Sequence, residues 1–225
     1  MAGAVATFRN AQDLAQDTSL LSGKRRAAED RCAAMVRHAR AQLMIVGVQR
    51  FSVNEVIRLA GGSKATLAKY FGDRGGLIAA AVAEEAREAM AGLSLGPEGE
   101  RPFAQALEAM LEGILRFYLK PASLAVYRAV VATAGHDPGA ARAFYDHGHA
   151  TVVDALAGLV SGHLGVDKAA AAGLADRIVH ALRGGLHERV LLGLEPEPVD
   201  EATIAAQAER TVALVLPGLE RLRDA

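Results

Sequence analysis

Between Phe51 and Asp73 the chain is cut into two eight-residue segments by a repeated pattern of a capping residue in front and glycine behind. Ser52 precedes the first segment, Val53 to Ala60, and Glu55 stands three residues after that serine. This is a capping-box arrangement: the hydroxyl accepts an early helix N–H and the carboxylate reaches back to the cap. Phe51 before the cap and Val56 after it are placed for a hydrophobic staple. Gly61-Gly62 supplies the left-handed backbone a tight turn needs. Ser63 then caps the second segment, Lys64 to Phe71, and Gly72-Asp73 ends it and opens a longer helix from Arg74 to about Met90. Two short helices joined by a glycine turn, following a longer first helix, make a helix-turn-helix.

The flanking sequence is helical throughout. From Lys24 onward Cys32, Val36, Ala39, Leu43 and Val46 recur at steps of four and three, one stripe of a helix that Gly47 can stop. Residues 1–23 read as an arm with room for one short helix. After a Gly/Pro-bearing break at 92–102, further helices are expected at 103–120, 123–134, 138–164, 167–193 and 200–216 or beyond, with Asp137, Asp167 and Asp200 as caps. No stretch alternates with period two. The expectation is therefore an all-α chain of about nine helices. A three-helix head with its linking helix occupies 24–93, and a C-terminal helical bundle occupies 94–225.

Composition removes other classes. One cysteine, Cys32, cannot close an internal disulfide and suits a small core residue. No apolar run reaches the roughly 18 residues of a membrane span, and no basic start with an apolar stretch marks a secretion signal, so a cytoplasmic protein is expected. A Gly-x-Ser-x-Gly elbow, His-Glu-x-x-His, a phosphate loop and a dinucleotide fingerprint are all missing, which argues against an enzyme. Net charge is −1, but residues 24–76 hold 11 Lys/Arg against 4 Asp/Glu, a balance of +7. Residues 77–225 hold 13 against 20, a balance of −7. A cationic head on an acidic body fits a phosphate-binding module. On the second short helix Ser63, Lys64, Thr66, Lys69 and Tyr70 offer charge and hydroxyls to a duplex, while Leu67 and Phe71 anchor it inward. Arg74 at the next helix start is placed to hold a phosphate.

The run from Phe51 to Leu77, FSVNEVIRLAGGSKATLAKYFGDRGGL, resembles the DNA-binding domain of TetR/AcrR-type regulators, and the likeness extends over about 27–77. It implies a homodimer reading a palindromic double-stranded operator and a small-molecule effector pocket in the C-terminal helices. It further implies DNA contacts from Ser52, Ser63, Lys64, Thr66, Lys69, Tyr70 and Arg74. Ala68 stands where family members often carry an aromatic residue, and Gly75-Gly76 where helix formers are usual.

In the body, six of the ten Phe and Tyr residues fall between 101 and 145. Phe117, Tyr118, Tyr127, Phe144 and Tyr145 are the candidate pocket lining, with ordinary core as the alternative. Leu174, Ile178, Leu182, Leu186 and Val190 form a four-residue ridge that Val212 and Leu216 extend. Of these Leu182, Leu186, Val190, Val212 and Leu216 are the candidate dimer contacts. Asp146 with His149, and Asp176 with His180 and His187, can share helix faces. Such histidines more commonly serve as hydrogen-bonding residues, and no metal or other cofactor is expected. A helical ligand-binding protein without DNA binding is the competing reading.

Overall fold

The computed structural model describes residues 11–93, 101–136 and 138–224. Among these the chain forms eleven α-helices and no strand. The head comprises α1 (Ala11–Val46), α2 (Val53–Ala60) and α3 (Lys64–Phe71), and α4 (Arg74–Ala91) leads out of it. Then come α5 (Phe103–Leu119), α6 (Pro121–Thr133), α7 (Pro138–Phe144), α8 (Ala150–Leu164), α9 (Lys168–Arg183), α10 (Leu186–Leu191) and α11 (Glu201–Arg223).

Three differences from expectation have physical causes. The first helix begins at Ala11, thirteen residues before Lys24, so residues 11–23 extend α1 instead of forming a separate arm. Ala, Leu and Gln dominate that stretch, and Gly23 alone does not stop a helix. Residues 1–10 and Asp137 lie outside the described residues. The expected helix 138–164 is interrupted by a π-helical turn at Tyr145–His149, and the expected helix 167–193 breaks at Gly184-Gly185. Gly185 adopts φ +84°, where a side chain would be strained. These two breaks turn nine expected helices into eleven.

One continuous core joins head and body. Met35, Ala39 and Leu43 of α1 are buried with Phe51, Val56 and Leu67, and through Leu77, Ile78 and Val82 of α4 with Leu111, Phe117 and Leu156. Cys32 is only half-buried, at the margin of this stripe, with burial pushing its thiol pKa up. Helix α4 is the shared member: it packs on α1 and α3 at one end and on α5, α7, the π turn and α8 further along. Arg40 of α1 pairs with Glu85 (2.6 Å) and Glu88 (2.5 Å) of α4, and Glu85 also takes Lys120 at 2.7 Å. Burial of Glu85 works against its charge, yet hydrogen bonds from Lys120 and Arg40 hold its carboxyl below the usual range. The α5–α6 corner is thereby tied to the head through one carboxylate. No helix among the described residues is long and apolar enough to cross a membrane.

Candidate nucleic-acid interface and effector cavity

The head assembles as its caps dictate. The Ser52 Oγ accepts from the Glu55 N–H at 3.3 Å, but the returning half of the box is different. The Ser52 N–H donates to Gln42 Oε1 of α1 at 2.7 Å, which frees Glu55 to pair with Arg58. Ser52 is accordingly half-buried, tying α2 to α1. Gly61 ends α2 at φ +69°. The Ser63 Oγ accepts from the Thr66 N–H at 3.1 Å and lies 2.9 Å from the Thr66 hydroxyl. Asp73 caps α4 by accepting from the Gly76 N–H at 2.9 Å.

Helix α3 has one buried side, carried by Leu67, and one open side. Ser63, Lys64, Ala65, Ala68, Lys69 and Tyr70 are exposed, Tyr70 by 43%. The Lys69 ammonium sits 5.2 Å from the Tyr70 ring centre. Arg74 is occupied within the head: its guanidinium donates to the Val48 carbonyl at 2.5 Å and lies over the Phe51 ring. With five donors it retains capacity for a second acceptor. The second of the two unusual glycines has a steric reason, since a Cβ on Gly76 would fall 1.9 Å from the Phe71 carbonyl oxygen.

In the body, Phe117, Tyr118, Tyr127, Phe144 and Tyr145 line a single cleft of about 490 Å³ counted out to its open mouth. Most of that volume is solvent at the mouth, and the enclosed part is about 40 Å³. The π turn brings Tyr145, Gly148 and His149 to the wall, a use such turns often have. Sequence reasoning missed Val82, Ser123 and Arg183 on this wall, and it noted His149 and His187 only within sets that could bind a metal or a polar ligand. His187 is fully buried, with Tyr118 and Tyr127 edge-on to its ring. Burial first, then the cations Arg183 and Arg128, pushes its pKa down to about 4. It is neutral at pH 7, and its Nδ1 accepts from Arg183 at 3.3 Å. The Tyr118 hydroxyl, driven up by burial, contacts His149 Nδ1 at 3.1 Å.

His149, Asp176 and His180 each offer one ligand atom, and these lie within 4.8 Å of one another. This trio mixes the two sets expected from sequence and leaves out His187. Hydrogen bonds account for it: His149 Nε2 meets Asp176 Oδ1 at 2.8 Å and His180 Nδ1 meets the Asp176 carbonyl at 2.8 Å.

The expected dimer contacts need correction. Leu182 and Val190 have no exposed surface within one chain and Val212 is buried, so this ridge faces its own core. Leu186 and Leu216 are half-buried. The exposed leucines after α9 are Leu192 and Leu194, beyond α10, and Leu214 and Leu222 of α11.

An exposed cationic helix on a helix-turn-helix, joined by one long helix to an all-helical body with a cavity, fits a transcription regulator. The chain belongs to the TetR family: residues 105–217 match the model of the AefR-like transcriptional repressor C-terminal domain. Among solved structures, a TetR-family regulator from Mesorhizobium loti is similar at 18% identity and TM-score 0.61, over 84% of this chain and 96% of that one. The flavonoid-responsive regulator FrrA is similar at 22% identity and TM-score 0.58, over 84% and 96%. A TetR regulator from Agrobacterium tumefaciens is similar at 23% and 0.53, over 83% and 92%. These likenesses speak for the fold. No curated protein matches the chain.

Proposed function

We propose that this regulator is a cytoplasmic repressor that binds a palindromic operator as a homodimer and is released by a small-molecule effector. The observation that carries this reading is the open side of α3. Lys64, Lys69 and Tyr70 stand exposed on a short helix whose opposite side is anchored by buried Leu67, within a segment of balance +7. Lysine and hydroxyl groups there contact phosphates and base edges, and the small Ala65 and Ala68 let the helix approach the groove closely. Arg74, already fixed on Val48, adds a phosphate contact through its remaining donors.

Two such heads must present α3 about 34–36 Å apart. Exposed Leu192, Leu194, Leu214 and Leu222, with half-buried Leu186 and Leu216, provide apolar surface for an isologous two-fold contact. The effector occupies the aromatic cleft. Val82 of α4 is in its wall, and α4 starts at Arg74, about 12 Å away along the helix. A ligand that repositions α4 changes the separation of the heads, and the coupling is reciprocal. Selection of bound duplexes from a random pool tests the reading. It predicts an enriched inverted repeat with half-sites about one helical turn apart. Recovery of no sequence preference, or of single half-sites only, would overturn it.

A further inference from the structure

Among the described residues, the one formal charge lining the cleft has no anion beside it. Of its eleven lining residues none is a carboxylate, and Arg183 supplies the only permanent charge. Among the described residues no Asp or Glu lies within ion-pair distance of that guanidinium. It is instead held by two tyrosine rings, 4.8 Å from Tyr118 and 5.1 Å from Tyr127, and by a single hydrogen bond to neutral His187. Its Nε is buried without any partner. Arg183 is half-buried, and taking even part of a cation out of water without an anion is costly, a cost that a bound anion hydrogen-bonded to it recovers. Tyr127, Phe144, Tyr145 and Phe117 add rings to a wall completed by Val82, Ser123, Gly148 and His149, and those rings suit a flat ring system.

We propose that this cleft takes a planar aromatic carboxylate, its carboxylate on Arg183 and its ring against Tyr127, Phe144 and Tyr145. The proposal rests on the reading of the cleft as the effector site. Arg183 is the last residue of α9, directly before the Gly184-Gly185 break, and Gln207 of α11 holds the Leu182 and Gly184 carbonyls on either side of it. An anion drawn to Arg183 therefore acts on the junction between α9, α10 and α11, next to the apolar surface assigned to the dimer.

Calorimetric titration of the full chain with naphthalene-2-carboxylate, its methyl ester and its carboxamide tests the assignment. The acid is expected to bind about tenfold to a hundredfold tighter than either neutral analogue, the scale of one charge-assisted hydrogen-bonded pair. Arg183→Gln should erase that preference, so that acid and ester bind the variant with equal affinity. Equal affinity of acid and ester for the wild type, a preference that survives Arg183→Gln, or no binding by any of the three would each overturn the proposal. The wild-type comparison decides even if the variant folds poorly. Failure of the effector reading looks different: the acid binds with the expected preference but does not release operator DNA. If acid and ester release DNA alike, the effector reading stands and the carboxylate proposal falls.

Discussion

Gly76→Ala sets two well-known effects against each other in the head. Helix propensity alone favours alanine over glycine in a helix by about 1 kcal/mol, which would stabilise the variant. The geometry says otherwise. The new methyl carbon would sit 1.9 Å from the Phe71 carbonyl oxygen and 3.0 Å from its carbon, so movement of about 1.5 Å is required to restore ordinary van der Waals separation. That oxygen is fixed, because it also accepts the Asp73 N–H at 3.0 Å at the end of α3. Relief must come from tilting α4 or opening the α3–α4 corner, at the expense of the Asp73 cap on the Gly76 N–H. Overpacking costs about 1–3 kcal/mol and loss of a cap about 1 kcal/mol. Against the propensity gain of about 1 kcal/mol, the net loss is about 2 kcal/mol. With a urea slope of about 2 kcal/mol/M, the circular-dichroism midpoint should fall by about 1 M. Gly173→Ala is the internal control, because nothing lies within 4 Å of its Cβ position in α9. It should raise the midpoint slightly. A midpoint for Gly76→Ala equal to or above wild type would refute the steric argument.

Glu85→Gln keeps shape but discharges the carboxylate that joins Arg40 to Lys120. It should cost about 1–2 kcal/mol of stability, since Arg40 retains Glu88 and Lys120 is partly in water. Ligand-induced release of operator DNA should weaken more than operator affinity itself, which paired titrations with and without effector would reveal. Stability should also fall in acid. His187 is held near pKa 4 in the fold against 6.5 when free, so its contribution is intact above about pH 6.5 and is lost as pH drops toward 4, where the unfolded chain takes the proton first. The loss is at most on the order of 3 kcal/mol, and the burial-lowered His149 and His163 act in the same direction. Urea midpoints between pH 4 and 7 should slope less for His187→Gln, and parallel slopes would count against the assignment. Leu214→Glu should convert the dimer to monomer in light scattering, whereas Leu182→Ala should lower stability by about 2–5 kcal/mol through a core cavity. Unchanged mass for Leu214→Glu would move the interface elsewhere.

The head was legible because its signals are local. Ser52, Ser63, Asp73, Gly61 and Gly72 act within three or four residues of themselves, and α2 and α3 begin and end where those residues place them. Gln42 taking the Ser52 N–H is a contact across ten residues between helices, and no capping rule reports it. In the body, aromatic enrichment was enough to gather the five candidate rings into one cleft, because few other positions carry rings. Arg183 was missed since an arginine near a helix end reads as solvated, and only packing shows its guanidinium between two tyrosines. The leucine ridge misled for a related reason. A four-residue repeat states that a helix has an apolar side but not whether its own chain or a second copy covers it, and Leu182 and Val190 are covered by their own chain.

The proposed repression works only if the open side of α3 meets a duplex, and salt-dependent fluorescence anisotropy on the selected operator measures that directly. Wild type should bind less tightly, and steeply so, as salt rises. Lys64→Ala should bind more weakly, with a log–log slope shallower by about one for each phosphate that the lysine no longer neutralises. Tyr70→Ala should weaken binding at every salt concentration. Wild-type affinity and slope in both variants would contradict the central claim.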